Sequence, residues 1–194
     1  MNPGFVFVLF LLFSSHSATA ASPSGTDSTS SYPWQHRLIN HEGQSFSLAD
    51  YNGRTVLYSF FYTGCSSICP TQTYELTRVQ QLLPDALKLS VQFVSVSVDP
   101  TTDFPETIKA YAQRFGIDFT NWQFSTTRDE HTLRDLLGKM RVQVVEAPES
   151  GEIDHSPTLF LVDRSGRIIQ RYLSTRIDTQ RIAQDIAAAD RIFR

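Results

Sequence analysis

Cys65 and Cys69, in the run Cys65-Ser66-Ser67-Ile68-Cys69-Pro70, are the chain's two cysteines. A spacing of four places both sulfurs on one side of a helical turn, from which they can close a disulfide or hold one metal ion together. The stretch before them, Thr55 to Tyr62 (TVLYSFFY), is a continuous β-branched and aromatic run, the pattern of a strand buried on both faces. Pro70 suits the first turn of a helix reaching Leu83, with Leu76, Val79, Leu82 and Leu83 as its apolar stripe. The pair therefore lies where a strand becomes a helix, where backbone N–H groups converge and the helix dipole favours negative charge. A thiol there has a lowered pKa and is partly thiolate at neutral pH, the form that attacks disulfides and binds soft metals.

Two cysteines exclude a disulfide-stapled scaffold and a four-thiolate zinc site, leaving a structural disulfide, a redox pair or a small metal site. A structural bridge across so short a separation would constrain the unfolded chain little. Two thiolates alone suit Cu(I), and an imidazole would complete a trigonal shell. Among the histidines, His36, His41 and His131 read as surface or internally satisfied residues. His155 differs, because Asp154-His155-Ser156-Pro157-Thr158 leads straight into the apolar strand Leu159 to Val162, at the mouth of a sheet. Asp154 is a candidate to orient the ring.

The elements that must position these groups follow from pattern and punctuation. His36–Asn40 and Ser45–Leu48 flank the turn His41-Glu42-Gly43-Gln44 as a short hairpin, and Asn52-Gly53 marks the next turn. Strands are expected over Val91–Val98, Asn121–Phe124, Val142–Glu146, Thr158–Asp163 and Arg167–Tyr172, the last two joined as a hairpin at Arg164-Ser165-Gly166. Helices are expected over Phe104–Phe115, Asp129–Lys139 and Asp178–Ile192. Strands alternating with helices, then a terminal hairpin and helix, give an α/β fold with a central mixed sheet flanked by helices on both faces.

The chain has 194 residues, 41% apolar and 19% charged, enough for one domain with a core. Seventeen Lys plus Arg against twenty Asp plus Glu, with no long basic run, argue against nucleic acid as a partner. Met1 to Ala20 carry no charged side chain, and Phe5 to Phe13 is an unbroken apolar run too short to span a bilayer, followed by the small residues Ala18-Thr19-Ala20-Ala21. Residues 1–20 are expected to be a secretory signal, giving a soluble, periplasmic or otherwise exported protein. The alternative is an uncleaved membrane anchor. Residues 21–33, rich in Ser and Thr, are expected to be a flexible leader, and residues 34–194 the folded domain.

The strand-Tyr-Thr-Gly-Cys65-x-x-x-Cys69-Pro70 element, the Asp154-His155 pair just before a strand, and Val98-Asp99-Pro100 after the second strand together resemble the Sco/SenC family. The resemblance covers Trp34 to the C-terminus. It implies a thioredoxin-like fold, with the first hairpin as an N-terminal extension. It also implies an exported copper protein that serves assembly of the binuclear copper centre of cytochrome c oxidase. Carried over, Cys65 and Cys69 become the thiolate ligands and His155 the imidazole ligand. Asp99 falls on a loop near the site, although as Asp-Pro it also reads as a plain turn. Copper is preferred to zinc, since two thiolates and an imidazole without a fourth protein group suit Cu(I), and Cu(II) is compatible too. The implied partner is a copper-accepting cytochrome c oxidase subunit, with other copper chaperones or thiol reductants upstream.

One departure favours redox work. Ser156-Pro157-Thr158 resembles the cis-proline loop of thioredoxins, and a cis X-Pro bond, which costs little, would bring Pro157 toward Cys65. Alternatively, Pro157 simply begins an edge strand. Two functions thus compete: a metallochaperone using Cys65, Cys69 and His155, and a thiol-disulfide reductase using the catalytic pair Cys65 and Cys69. A peroxidase is a weaker third reading, because its resolving thiol is usually distant in sequence.

Overall fold

The computed structural model describes Met1 and residues 34–146 and 153–192. The expected signal peptide and leader, Met1 apart, lie outside the described residues. The central sheet is built from β1 (Arg37–Asn40), β2 (Ser45–Ser47), β3 (Thr55–Phe61), β4 (Val91–Ser97), β5 (Trp122–Thr126), β8 (Thr158–Val162) and β9 (Ile168–Leu173). Its order is β2-β1-β5-β4-β3-β8-β9. β3, β4 and β5 run parallel, whereas β1, β2, β8 and β9 join antiparallel to their neighbours, so the sheet is mixed as expected.

Every residue of β3 and β4 is buried, which explains why neither strand alternates apolar with polar residues. Serines of these strands are paired within the core: Ser59 meets Ser95 at 2.7 Å, and the indole N–H of Trp122 donates to Ser95 at 2.9 Å. On one face Phe61 packs against Tyr111 and Phe124, with ring centroids 5.2 and 5.1 Å apart. Each such buried aromatic contributes roughly 1.5–3 kcal/mol of hydrophobic stabilisation.

The helices are α1 (Ile68–Leu82), α2 (Asp85–Lys88), α3 (Pro105–Gln113), α4 (Glu130–Met140) and α5 (Thr179–Ile192). α1 packs on α5, and its Thr73 hydroxyl meets the Tyr111 hydroxyl of α3 at 2.9 Å. α4 starts on the side chain of Asp129, which accepts from the His131 N–H, and sends Leu133, Leu136, Leu137 and Met140 into the core.

Three features go further than the sequence pattern. The first hairpin, expected as an N-terminal extension, adds to the sheet itself, because β1 pairs with β5 through Ile39–Thr126 and Asn40–Ser125 and the hairpin forms one edge. The strand expected at Val142–Glu146 is shorter, β6 (Val144–Glu146). It pairs outside the central sheet with a strand the sequence reading left out, β7 (Ile153–His155). Finally, the described residues contain no cis peptide bond, so Ser156–Pro157 is trans and the thioredoxin-type cis-proline loop is absent there. Pro157 instead leads into β8, where its carbonyl accepts the Ser174 N–H at 2.7 Å.

Candidate metal centre

β3 ends at Phe61, and the chain reverses through Tyr62, Thr63 and Gly64, with the Cys65 N–H donating to the Tyr62 carbonyl at 3.2 Å. α1 then begins at Ile68, so Cys69 and Pro70 lie in its first turn; proline is tolerated there because that N–H has no partner within the helix. Ser67, at the cap position, makes no side-chain capping bond. The sulfur of Cys65 takes over this role, accepting the Cys69 N–H at 3.3 Å, with the backbone N–H groups of Ser67 and Ile68 also turned to it. The exposed end of α1 is thus capped by a thiolate.

The two sulfurs are unbonded to each other and unequal. A hydrogen bond from the Cys69 thiol, helped by the backbone N–H groups, outweighs burial and pulls Cys65 down to about 5. The same hydrogen bond, together with burial, pushes Cys69 far up. The pair therefore holds one proton near neutral pH: Cys65 is the thiolate and Cys69 the thiol. Cys65 is also the more accessible, 8% exposed against 1% for Cys69.

His155, at the end of β7, is brought to this pair by the β6–β7 hairpin, in which it lies opposite Val144. Its Nε2 stands 3.8 Å from the Cys69 sulfur, and its Nδ1 lies 3.3 Å from the Ser156 carbonyl. A carbonyl only accepts, so the proton sits on Nδ1 and the Nε2 lone pair is left free on the side of the thiol. Burial lowers the pKa of the ring, which favours the neutral form that binds metals.

Bonds of about 2.3 Å to sulfur and about 2.0 Å to nitrogen, opened to about 120°, would separate two ligand atoms by about 3.7 Å. Cys69 and His155 already stand at that spacing. Among the described residues no three His, Cys, Asp or Glu side chains are gathered closely enough to enclose an ion as they stand, so a three-ligand site here would need a side-chain rotation to bring the third group in. Beside the site is a cleft of about 260 Å³ lined by Tyr62, Cys65, Ser66, Ser67, Ile68, Ile153, Asp154 and His155.

Of the other candidates from the sequence, Asp154 lines the cleft, whereas Asp99, His36, His41 and His131 do not. Asp154 is exposed, on the strand face opposite to His155, and it is the Ser156 carbonyl that contacts the ring, as alternation along a strand dictates. Asp99 is consumed by its own turn: its carboxylate accepts from Thr101 N (3.1 Å), Thr101 Oγ1 (2.7 Å), Thr102 N (3.1 Å) and Thr102 Oγ1. His36 contacts Asp135 at 2.8 Å, His41 stacks on Phe119, and none of His36, His41 and His131 lines the cleft. The sequence reading placed the turn ahead of Cys65 but missed Asp103, whose carboxylate reaches that turn at Thr63. Asp103 stands just ahead of Phe104-Pro105, where it resembles an ordinary helix-start residue.

The SCO1/SenC family profile matches residues 24–190. A SCO1 protein homolog of Bacillus subtilis is 31% identical over 134 residues, covering 69% of each chain. The solved structure of Bradyrhizobium japonicum ScoI with copper bound superposes with a TM-score of 0.69 at 25% identity, covering 79% of this chain and 96% of that one. BsSco, described as a member of the Sco family of cytochrome c oxidase assembly proteins and as carrying a disulfide switch, superposes with a TM-score of 0.69 at 26% identity, covering 83% and 96%.

Proposed function

The chain belongs to the SCO1/SenC family, and from that premise we propose that it is an exported metallochaperone, which takes up one copper ion on Cys65, Cys69 and His155 and passes it to a cytochrome c oxidase subunit. The observation that carries this reading is the 3.8 Å approach of His155 Nε2 to the Cys69 sulfur, across 86 residues of chain, with the proton held on the far ring nitrogen. Thiol exchange has no need of an imidazole lone pair at that point, whereas a soft ion with two thiolates gains its third ligand there.

Uptake begins at Cys65, which is already a thiolate and faces the cleft. Ligation at Cys69 displaces the remaining proton, because a coordinating thiol is deprotonated. Two thiolates and one imidazole satisfy Cu(I) and leave a side open to an incoming ligand of the acceptor. Cu(II) can use the same three groups with a water. The set could thus release the ion by stepwise ligand exchange, with Cys65 the accessible point of transfer.

The test is metal loading of the reduced protein with Cu(I) and, separately, Cu(II). The parent is expected to bind near one equivalent, and His155→Ala to weaken binding by at least about tenfold, since even outer-shell changes cost that much. A His155→Ala variant that holds copper as tightly as the parent overturns the three-ligand reading. N-terminal sequencing of the mature protein checks the exported address, with a start at Ala21 expected.

The unequal protonation of the cysteines favours a second activity, thiol-disulfide reduction. The Cys65 thiolate would attack a partner disulfide, forming a mixed disulfide and releasing one partner thiolate. Cys69, after giving up its proton, would then attack Cys65, closing Cys65–Cys69 and releasing the second partner thiol. Trapping of a Cys65-linked mixed disulfide by Cys69→Ser, undiminished by His155→Ala, would assign this activity to the pair alone.

A further inference from the structure

We infer that Asp103 is the residue that positions the Cys65 thiolate, acting through Thr63 and touching neither cysteine. Its side chain is almost wholly buried, 1% exposed, and forms no ion pair among the described residues. Burying a carboxylate without a cation is costly, and its hydrogen-bond donors must compensate. The donors to its carboxylate among the described residues come from Thr63 and Ser97. Thr63 gives its hydroxyl to Oδ1 at 2.5 Å and its backbone N–H to Oδ2 at 3.1 Å, and Ser97 gives its hydroxyl to Oδ2 at 2.5 Å.

These two donors belong to different parts of the fold. Thr63 is in the turn between β3 and the cysteine loop, and Ser97 is the last residue of β4. Asp103 itself precedes α3, whose cap position, Phe104, makes no side-chain capping bond. The carboxylate is directed away from the helix it could cap and toward the turn that ends at Cys65. That turn carries the Cys65 N–H to Tyr62 bond, and Cys65 must then place its sulfur against the amides of Ser67, Ile68 and Cys69. A fixed Thr63 sets where the strand ends and hence where that sulfur is delivered. The burden on position is high, since misplacement by about 1 Å can cost about a hundredfold in a reacting site.

This inference rests on the proposed copper site but can be tested apart from it. Asparagine keeps the shape and one acceptor: its oxygen, in the place of Oδ1, still accepts the Thr63 hydroxyl and, at 3.3 Å, the Thr63 N–H, while its amide replaces Oδ2 and donates to the Ser97 hydroxyl oxygen. Asp103→Ala is expected to weaken copper binding by at least about tenfold and alter the thiolate-to-Cu(II) charge-transfer spectrum. Asp103→Asn should stay within about threefold of the parent with the parental spectrum. Thr63→Val, which removes only the hydroxyl, should fall between them and serves where the alanine variant does not fold. Alkylation of Cys65 by iodoacetamide at fixed pH, read by mass spectrometry, follows the same order and needs no metal. An alanine variant with parental spectrum and alkylation, or equal losses in Ala and Asn, overturns the positioning role. A parent that binds no copper while the alkylation order holds overturns the copper reading and leaves the role of Asp103 standing.

Discussion

Replacing Cys69 by Ala removes the donor that contributes most to holding Cys65 as a thiolate, and the consequence can be worked out from the site. Cys65 is brought from 9.0 to about 5, with the Cys69 thiol as first cause and the backbone N–H groups of Ser67, Cys69 and Ile68 behind it, against burial. A hydrogen bond to a charged group is worth about 1.5–3 kcal/mol. At 1.36 kcal/mol per pH unit, that is an upward movement of about one to two units in Cys69→Ala. Cys69→Ser, which keeps a donor, should stay near the parent. The assay is the rate of Cys65 alkylation, or its ultraviolet thiolate absorbance, as a function of pH. The sign carries over to stability of the reduced protein: because the folded pKa is depressed, the thiolate's contribution is full above the ordinary thiol pKa and is lost as pH falls toward about 5. An unchanged midpoint in Cys69→Ala would show that the thiol is not the donor. A midpoint back at the ordinary thiol value would show that the start of α1 contributes nothing.

Two further outcomes follow, one from beside the site and one from the far end of the sheet. Asp154→Asn should leave copper stoichiometry unchanged in the loading assay, because that side chain faces solvent while the Ser156 carbonyl contacts the imidazole. Asp163→Ala should lower stability by about 2–4 kcal/mol in urea unfolding, since the fully buried carboxylate accepts from Ser165 N, Ser165 Oγ, Arg167 N and Arg167 Nε and thereby shapes the β8–β9 turn, in which Gly166 takes φ 84°.

Much of the fold was legible because its signals are local. The apolar run Thr55–Phe61 needs both faces covered wherever it goes, and Asp129 ahead of a periodic stretch marks a helix start whatever packs against it. The signals that failed were those whose meaning depends on a distant partner. β7 is three residues with no pattern of its own, and the strand expected at Val142–Glu146 is cut to Val144–Glu146; both take their extent from the hydrogen bonds they make to one another. The hairpin at 36–48 was legible from its turn, but its docking was not, because nothing local shows that β1 will find β5.

By itself, the sequence determined the kind of chemistry. It offers two thiols four residues apart at a strand-to-helix turn and a histidine leading into a buried strand, and residue types with short-range spacing are enough to limit such a set to soft-metal or thiol work. Tertiary structure decided how the members divide that work. Both thiols look alike in the chain, but Cys65 meets the amides of Ser67, Ile68 and Cys69 at the start of α1, while Cys69 is the more deeply buried and keeps the proton. The roles of Asp154 and Pro157, open in the sequence, were decided by strand alternation and by a trans bond into β8. Which nitrogen of His155 is free, and which buried carboxylate holds the cysteine turn, are matters of contact between segments far apart in sequence, and those contacts exist only once the sheet has formed.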